Sequence, residues 1–279
     1  MNTDLASAIR QNIAAALAED IGSGDLTARL IPAEKTAAAT VISREAAVLC
    51  GVAWFDGCFR ALDPQIEIRW FARDGDPVAA NQTLCEIHGD ARAMLSAERP
   101  ALNFLQTLSA TATLTRRYVD AISGTGTAIL DTRKTLPGLR LAQKYAVRCG
   151  GGQNQRVGLF DGILIKENHI MAAGGIESAL KQAAALAPSG VPIQIEVETL
   201  DELKEALRVG ARLILLDNFT LPDLAEAVRT AGKQAVLEAS GGITLDNVRA
   251  VAQTGVHRIS VGSLTKDVKA VDLSLRLKI

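Results

Sequence analysis

The chain is short of metal-ligating clusters. Its four cysteines (Cys50, Cys58, Cys85, Cys149) form no C-x-x-C pair, and its three histidines (His88, His169, His257) are scattered. A zinc site needs grouped Cys and His ligands, so these spacings argue against one and leave reduced thiols in a cytoplasmic protein as the expectation. No apolar run approaches the ~20 residues of a membrane-spanning helix, so no membrane partner is expected. Residues 13–18 are apolar, but that block is too short for a secretory core, and Glu19-Asp20 follows it. A basic surplus is also missing: 30 Lys and Arg stand against 31 Asp and Glu, for a net charge of −1. Nucleic-acid binders usually carry such a surplus, so no nucleic acid is expected as a partner. What is present suits a folded α/β protein. The chain has 279 residues, 48% of them hydrophobic. That is enough for a sizeable core in one large domain, or in one large and one smaller domain.

Leu5, Ile9, Ile13 and Leu17 recur every four residues, the stripe of an amphipathic helix over 3–18 that Gly22-Ser23-Gly24-Asp25 ends. The next hundred residues read as short strands and turns. Strands are expected at 40–49, at 66–70, where Ile66-Glu67-Ile68-Arg69-Trp70 alternates, and at 83–87; Asp74-Gly75-Asp76-Pro77 is a turn. A helical stretch follows over 91–122, and Pro100 predicts a break or kink near Glu98-Arg99. Beyond Gly124, six short apolar strands (128–131, 162–166, 193–198, 213–217, 235–239, 258–262) alternate with amphipathic helical runs, the pattern of parallel βα units. Each strand finishes on a residue of chemical use: Asp131 with Arg133 and Lys134, Lys166, Glu196 and Glu198, Asp217, Glu238 with Ser240, and Gly262 with Ser263. Barrels assemble their active sites at the C-terminal strand ends, so the succession favours a barrel over an open sheet. Val271, Leu273, Leu275 and Leu277 alternate again, as a last strand returning to the N-terminal sheet would.

Between Asp131 and Arg156 the balanced chain concentrates six cations (Arg133, Lys134, Arg140, Lys144, Arg148, Arg156) against one acid, with a Gly150-Gly151-Gly152 run among them. Such a segment suits a small, highly charged anion. Arg133, Lys134, Arg156 and Lys166 together fit a dicarboxylate or a phosphate, arginine supplying a planar fork and lysine a movable point charge. The alternative is a solvated basic loop with Lys166 in an ion pair. Glu196 and Asp217, ending adjacent strands, can hold Mg²⁺ through water or bond sugar hydroxyls, or else pair with nearby lysines. Glu198 shares the face of Glu196, so either carboxylate could be the reactive one. Ser240-Gly241-Gly242 and Gly262-Ser263 fit a phosphate cradle. A second chemistry is a Schiff-base lyase with Lys166 as nucleophile.

Several ordered segments closely resemble the quinolinate phosphoribosyltransferases. They are Glu98-Arg99 with Ala101-Leu102-Asn103-Phe104, Asp131–Arg140, Lys144–Gly152, Leu164–His169, Leu215–Asn218, Glu238–Ile243 and Ser260–Gly262. The resemblance implies an N-terminal α/β sandwich and an open, seven-stranded α/β (TIM-like) barrel. The corresponding domains are 1–107, joined by the returning strand 268–279, and 108–267. It implies transfer of phosphoribose from 5-phosphoribosyl 1-pyrophosphate to quinolinate with loss of CO₂, and a cytoplasmic homodimer with shared active sites. Arg99 would then reach the partner's site, Arg133, Arg156 and Lys166 grip the two carboxylates, and Lys134 lie between the substrates. Thr135 and Gln155 also fall among the substrate-binding positions. Glu196 and Asp217 would serve the ribose and an indirectly held Mg²⁺, with Lys134 as their catalytic companion. Ser240, Gly241, Gly242, Gly262 and Ser263 would hold the 5′-phosphate. In this chain Gln155 stands where the family usually has His, and glutamine donates a hydrogen bond but is never cationic. Pro100 stands where a small or β-branched residue is commoner. A non-catalytic anion-binding relative is the third reading, disfavoured by the Lys166-Glu167-Asn168-His169 segment.

Overall fold

A computed structural model of the chain describes residues 3–278. The chain forms α1 (Thr3–Ile21), β1 (Thr36–Ser43), β2 (Ala47–Val48), α2 (Val52–Leu62), β3 (Glu67–Trp70), β4 (Pro77–Val78), β5 (Thr83–Asp90) and α3 (Ala91–Ala121). Then come β6 (Ala128–Leu130), α4 (Arg140–Cys149), β7 (Ile163–Ile165), α5 (Glu167–Ala173), α6 (Ile176–Leu186), β8 (Ile193–Val197), α7 (Leu200–Val209) and β9 (Leu213–Asp217). The last elements are α8 (Leu221–Ala231), β10 (Val236–Ser240), α9 (Val248–Gln253), β11 (Arg258–Ser260), α10 (Ser263–Lys266) and β12 (Leu273–Lys278). They form two compact units.

The first unit holds the chain up to Arg116, Thr135–Gly151 and the chain from Leu264 onward. Its antiparallel sheet has the order β12-β1-β5-β3. Ala37, Ala39 and Val41 alternate inward along β1, and β12 pairs with β1 from Ser43↔Leu273 to Ala38↔Lys278. The four-residue stripe of α1 is buried in the same core as Trp54, Phe55, Phe59, Leu105 and Leu108. Ala110 and Ala112 of α3 and Ala142 and Ala146 of α4 belong to that core as well.

Three local expectations are corrected. α3 runs unbroken through Pro100. The missing N–H costs about 3 kcal/mol in a helix interior, but Ala97, Pro100, Ala101, Leu105 and Leu108 keep one buried face across it, and that packing prevails. The strand expected over 40–49 is split, because the Ser43 hydroxyl donates to Glu45 O at 2.6 Å and turns the chain between β1 and β2. Residues 52–62, read only as part of the strand-and-turn region, form α2. Buried Trp54, Phe55, Cys58 and Phe59 recur there at helical spacing.

The second unit holds Arg117–Lys134 and Gly152–Ser263. Its six strands are parallel and ordered β6-β11-β10-β9-β8-β7. The first strand thus lies against the last while the others follow sequence order, a cyclic arrangement that an open doubly wound sheet does not have. A seventh position exists only as a single parallel bridge, Leu130↔Gln153. There Gln153 N donates to Ile129 O at 2.8 Å and Asp131 N donates to Gln153 O at 3.2 Å. Among the described residues no strand ladder joins Gln153 to β7, so the cycle is open at that seam. The helices start where their sequences cap them: Thr199 accepts from Glu202 N at α7 and Thr220 from Asp223 N at α8, followed by Pro222. The fold is thus mixed α/β, with an N-terminal antiparallel-sheet unit and a parallel-stranded unit of cyclic strand order.

Candidate active site

In-register parallel pairing brings the strand ends to one edge of the second unit, with Ser240 level with Asp217, Glu196 with Leu215 and Ser260 with Leu130. The residues just beyond inherit that placement. Lys166 follows β7 and caps α5, its backbone N–H donating to His169 Nδ1 at 3.0 Å. Its Nζ meets Glu196 Oε2 at 2.6 Å, with the lysine side chain 48% exposed and the glutamate 12%. The pair is therefore wet on the lysine side. A dianion arriving there meets an already oriented ammonium.

Arg133 lies in the segment after β6, and Arg156 lies close enough to feel its charge. Burial depresses the Arg156 guanidinium first, Arg133 adds to the depression, and Asp161 opposes it. Two neighbouring guanidinium groups repel until an anion sits between them. Arg156 Nη1 also donates to Gly162 O at 2.8 Å, which holds its fork at the open seam of the sheet. Lys134 folds over Gly262: a Cβ there would stand 3.2 Å from the lysine Cδ and 3.8 Å from Nζ. Glycine at 262 thus leaves room for the Lys134 side chain.

Asp217 ends β9, and Asn218, in the left-handed region at φ 57°, donates its side-chain amide to Asp217 Oδ2 at 2.9 Å. Gly241 has φ 96°, and a Cβ there would lie 2.1 Å from Asn218 Oδ1 and 2.9 Å from Asn218 N. Only glycine fits, so Ser240-Gly241-Gly242 presents its backbone without side chains above the two glycines. Glu198 lies beyond the end of β8 and is exposed. Its carboxyl is pushed above the usual range by contact with Glu167, with Glu202 and Asp217 adding to the effect. Glu196, not Glu198, is the carboxylate engaged with Lys166.

Arg99 and Thr135 belong to the first unit. Arg99 is exposed on α3, and Thr135 Oγ1 accepts from Arg140 Nε at 3.1 Å. Arg140, Lys144 and Arg148 of the cationic segment also belong to the first unit, while Arg133, Lys134, Gln155, Arg156, Lys166, Glu196, Asp217, Ser240–Gly242, Gly262 and Ser263 belong to the second.

A buried polar network is the part that sequence reasoning missed. The Gln155 side-chain amide donates to Gln194 Oε1 at 2.9 Å and to both Glu238 oxygens at 2.9 and 2.8 Å, and Gln194 donates to Glu238 Oε2 at 3.0 Å. Glu238 is 1% exposed and Gln194 8%. Buried Asp131 accepts from Gln155 N at 2.8 Å and from Asn154 Nδ2 at 2.6 Å. Gln155 is therefore a structural donor to a buried carboxyl. The available signal was the polar series Gln194, Glu196, Glu198 at every second residue of a strand whose other face is apolar.

The carboxylates suit magnesium only in part. Glu196 and Asp217 supply hard oxygens, yet among the described residues the strand-end acids bring no three ligand atoms together. Such a set fits an ion shared with substrate phosphates and water, not an all-protein cage.

Comparison with known proteins gives one family. The C-terminal domain model of quinolinate phosphoribosyl transferase matches residues 111–276, and the N-terminal domain model matches 25–109. A probable nicotinate-nucleotide pyrophosphorylase [carboxylating] of Bacillus subtilis is 42% identical over 257 residues, covering 92% of this chain and 89% of its own. The chloroplastic Arabidopsis thaliana protein of the same name is 42% identical over 282 residues, covering 94% and 80%. The nicotinate-nucleotide pyrophosphorylase structure from Francisella tularensis superposes with TM-score 0.95 at 47% identity, covering 98% of this chain and 96% of that one.

Two predictions follow from the geometry. Gly241→Ala should cost about 1–3 kcal/mol in urea unfolding from strain alone, and an unchanged midpoint would contradict the close approach of Asn218. A raised Glu198 penalises the folded state once pH exceeds its ordinary range, and the penalty vanishes when folded and unfolded chains are both protonated. Glu198→Gln should therefore raise the melting temperature at pH 7 and leave it unchanged near pH 3. The reverse order would refute the repulsion by Glu167. By both domain models and by relatives along nearly its whole length, the chain belongs to the quinolinate phosphoribosyltransferase family.

Proposed function

We propose that this chain catalyses the carboxylating reaction named for its relatives: quinolinate and 5-phosphoribosyl 1-pyrophosphate give nicotinate mononucleotide, CO₂ and pyrophosphate, a step of de novo NAD biosynthesis. The observation that carries this reading is the approach of Arg133 and Arg156 within one strand-end cluster that also holds Lys166 paired to Glu196. One anion does not need so many cations. A dicarboxylate and a pyrophosphate together do.

In this reading the guanidinium groups of Arg133 and Arg156 clamp quinolinate, with Lys166 on the second carboxylate and Gln155 beside Arg156. Ser240, Gly241, Gly242, Gly262 and Ser263 receive the 5′-phosphate through backbone N–H groups. Glu196 and Asp217 face the ribose, where positive charge builds at C1 as pyrophosphate departs, and a carboxylate stabilises that charge. Lys134, free of obstruction by Gly262, neutralises the leaving group. Glu196 and Asp217 would hold Mg²⁺ there together with the pyrophosphate, and the ion would supply further neutralisation. The pyridine nitrogen attacks C1; the 2-carboxylate then leaves as CO₂, its bonding pair staying on C2 next to the cationic nitrogen, and a proton from water fills that position to give nicotinate mononucleotide. We further assign the chain to a cytoplasmic homodimer in which Arg99 serves the partner's site.

A Schiff-base lysine reacts as a free amine, whereas Lys166 Nζ is engaged by Glu196 at 2.6 Å. That contact disfavours the lyase reading. A purely anion-binding role leaves the ribose-facing carboxylates without a task.

The test is to incubate the purified protein with both substrates and Mg²⁺ and to measure CO₂ and pyrophosphate together. Equal release is expected, and pyrophosphate without CO₂, or neither product from folded protein, would refute the assignment. Arg133→Ala should raise the KM for quinolinate about tenfold or more, the loss of one charge-assisted bond, while Glu196→Ala should mainly depress kcat. Unchanged quinolinate affinity in Arg133→Ala would remove that residue from the clamp.

A further inference from the structure

Away from the strand-end cluster, Cys50, Asp74 and Cys149 bring two sulfurs and a carboxylate oxygen within 4.8 Å of one another. All three belong to the first unit, and the proposed reaction uses none of them. Cys50 lies between β2 and α2 and is fully buried, and Cys149 is the last residue of α4 and is partly exposed.

The carboxylate is already committed. Asp74 Oδ1 accepts from Gly51 N at 2.9 Å and Val52 N at 3.1 Å, capping α2, and Oδ2 accepts from the Tyr145 hydroxyl at 2.8 Å. A metal would have to displace these bonds, and the cluster would still fall short of four good ligands. The remaining chemistry is between the sulfurs. The thiols differ in the way a redox pair requires. Burial pushes Cys50 well up. The Cys50 thiol beside it draws Cys149 down, Tyr145 and Arg148 assisting, against burial and Asp74. Cys58 and Cys85 lie outside the cluster and are buried. Burial alone holds Cys58 up at about 12, and burial is the leading cause that raises Cys85.

We propose that Cys149 and Cys50 form a peroxide-responsive pair, Cys149 the attacking thiol and Cys50 the resolving one, that closes to an intramolecular disulfide. The Cys149 thiolate attacks the outer oxygen of a hydroperoxide, and the O–O bond breaks. With one proton taken up, the products are Cys149 sulfenic acid and an alcohol or water. The Cys50 sulfur then displaces the hydroxyl from Cys149, and the hydroxyl leaves as water with the Cys50 proton. Two thiols are oxidised by two electrons and one peroxide is reduced. Closure takes the sulfurs from within 4.8 Å to a bond of about 2.05 Å.

The experiment treats reduced full-length protein with a small excess of hydrogen peroxide, then denatures, alkylates and digests it. The expected result is an intact mass lower by two hydrogens, with two of the four cysteines protected from alkylation. The Cys50 and Cys149 peptides should be joined, and dithiothreitol should separate them. Cys50→Ala should leave a Cys149 sulfenic acid that dimedone traps. Mapping of the unmutated protein decides the matter should that variant misfold. Four alkylatable thiols, addition of oxygens to Cys149 without a cross-link, or a link between other cysteines would each overturn the proposal. So would one zinc per chain in protein purified under reducing conditions.

Discussion

The site depends on how one segment without a strand of its own is held in place. Gln153 contributes only a single bridge beside β6, and the residues after it carry Arg156. What fixes them is side-chain hydrogen bonding: Asp131 takes the backbone N–H of Gln155 and the amide of Asn154, and the Gln155 amide is shared by Gln194 and Glu238. Buried polar groups are tolerated when bonded, and a broken network of this kind costs the full desolvation of whatever is left unpaired. The same network holds the chain at the open seam, where the sheet cannot.

Electrostatics then follow from placement. Arg133 and Arg156 stand near each other, Lys166 is paired with Glu196, and the acids Glu167, Glu202 and Asp217 are close enough to act on Glu198. A cationic sector at Arg133 and Arg156 and an acidic sector around Glu198 thus lie at the strand ends, beside the Lys166–Glu196 ion pair. In the proposed reaction the first sector takes the substrate carboxylates and the second faces the ribose and an indirectly held cation. Gln155 belongs to the supporting network, and its Oε1 also accepts from Arg156 N at 3.1 Å.

Much of the fold was legible because each βα unit is locally consistent: apolar strands of three to five residues, Thr caps at 199 and 220, and a chemical residue at each strand end. The misreadings have physical causes. The proline break failed because tertiary burial on both sides of Pro100 outweighs one missing hydrogen bond. The helix over 52–62 was hidden by an aromatic-rich composition. The seventh barrel position has no periodicity to read, since one bridged residue has no pattern. Gln194 and Glu238 were invisible as partners because contacts between strands 44 residues apart leave no trace in local spacing.

The central claim is that Arg133 and Arg156, converging at one edge of the sheet, select a ligand with two carboxylates. The most direct measurement is calorimetric titration of the unmutated protein with quinolinate and, separately, with nicotinate, its monoacid analogue, at equal ionic strength. The account predicts that quinolinate binds at least about tenfold tighter, as an added charge-assisted bidentate contact requires. Equal affinities, or tighter binding of nicotinate, would contradict it.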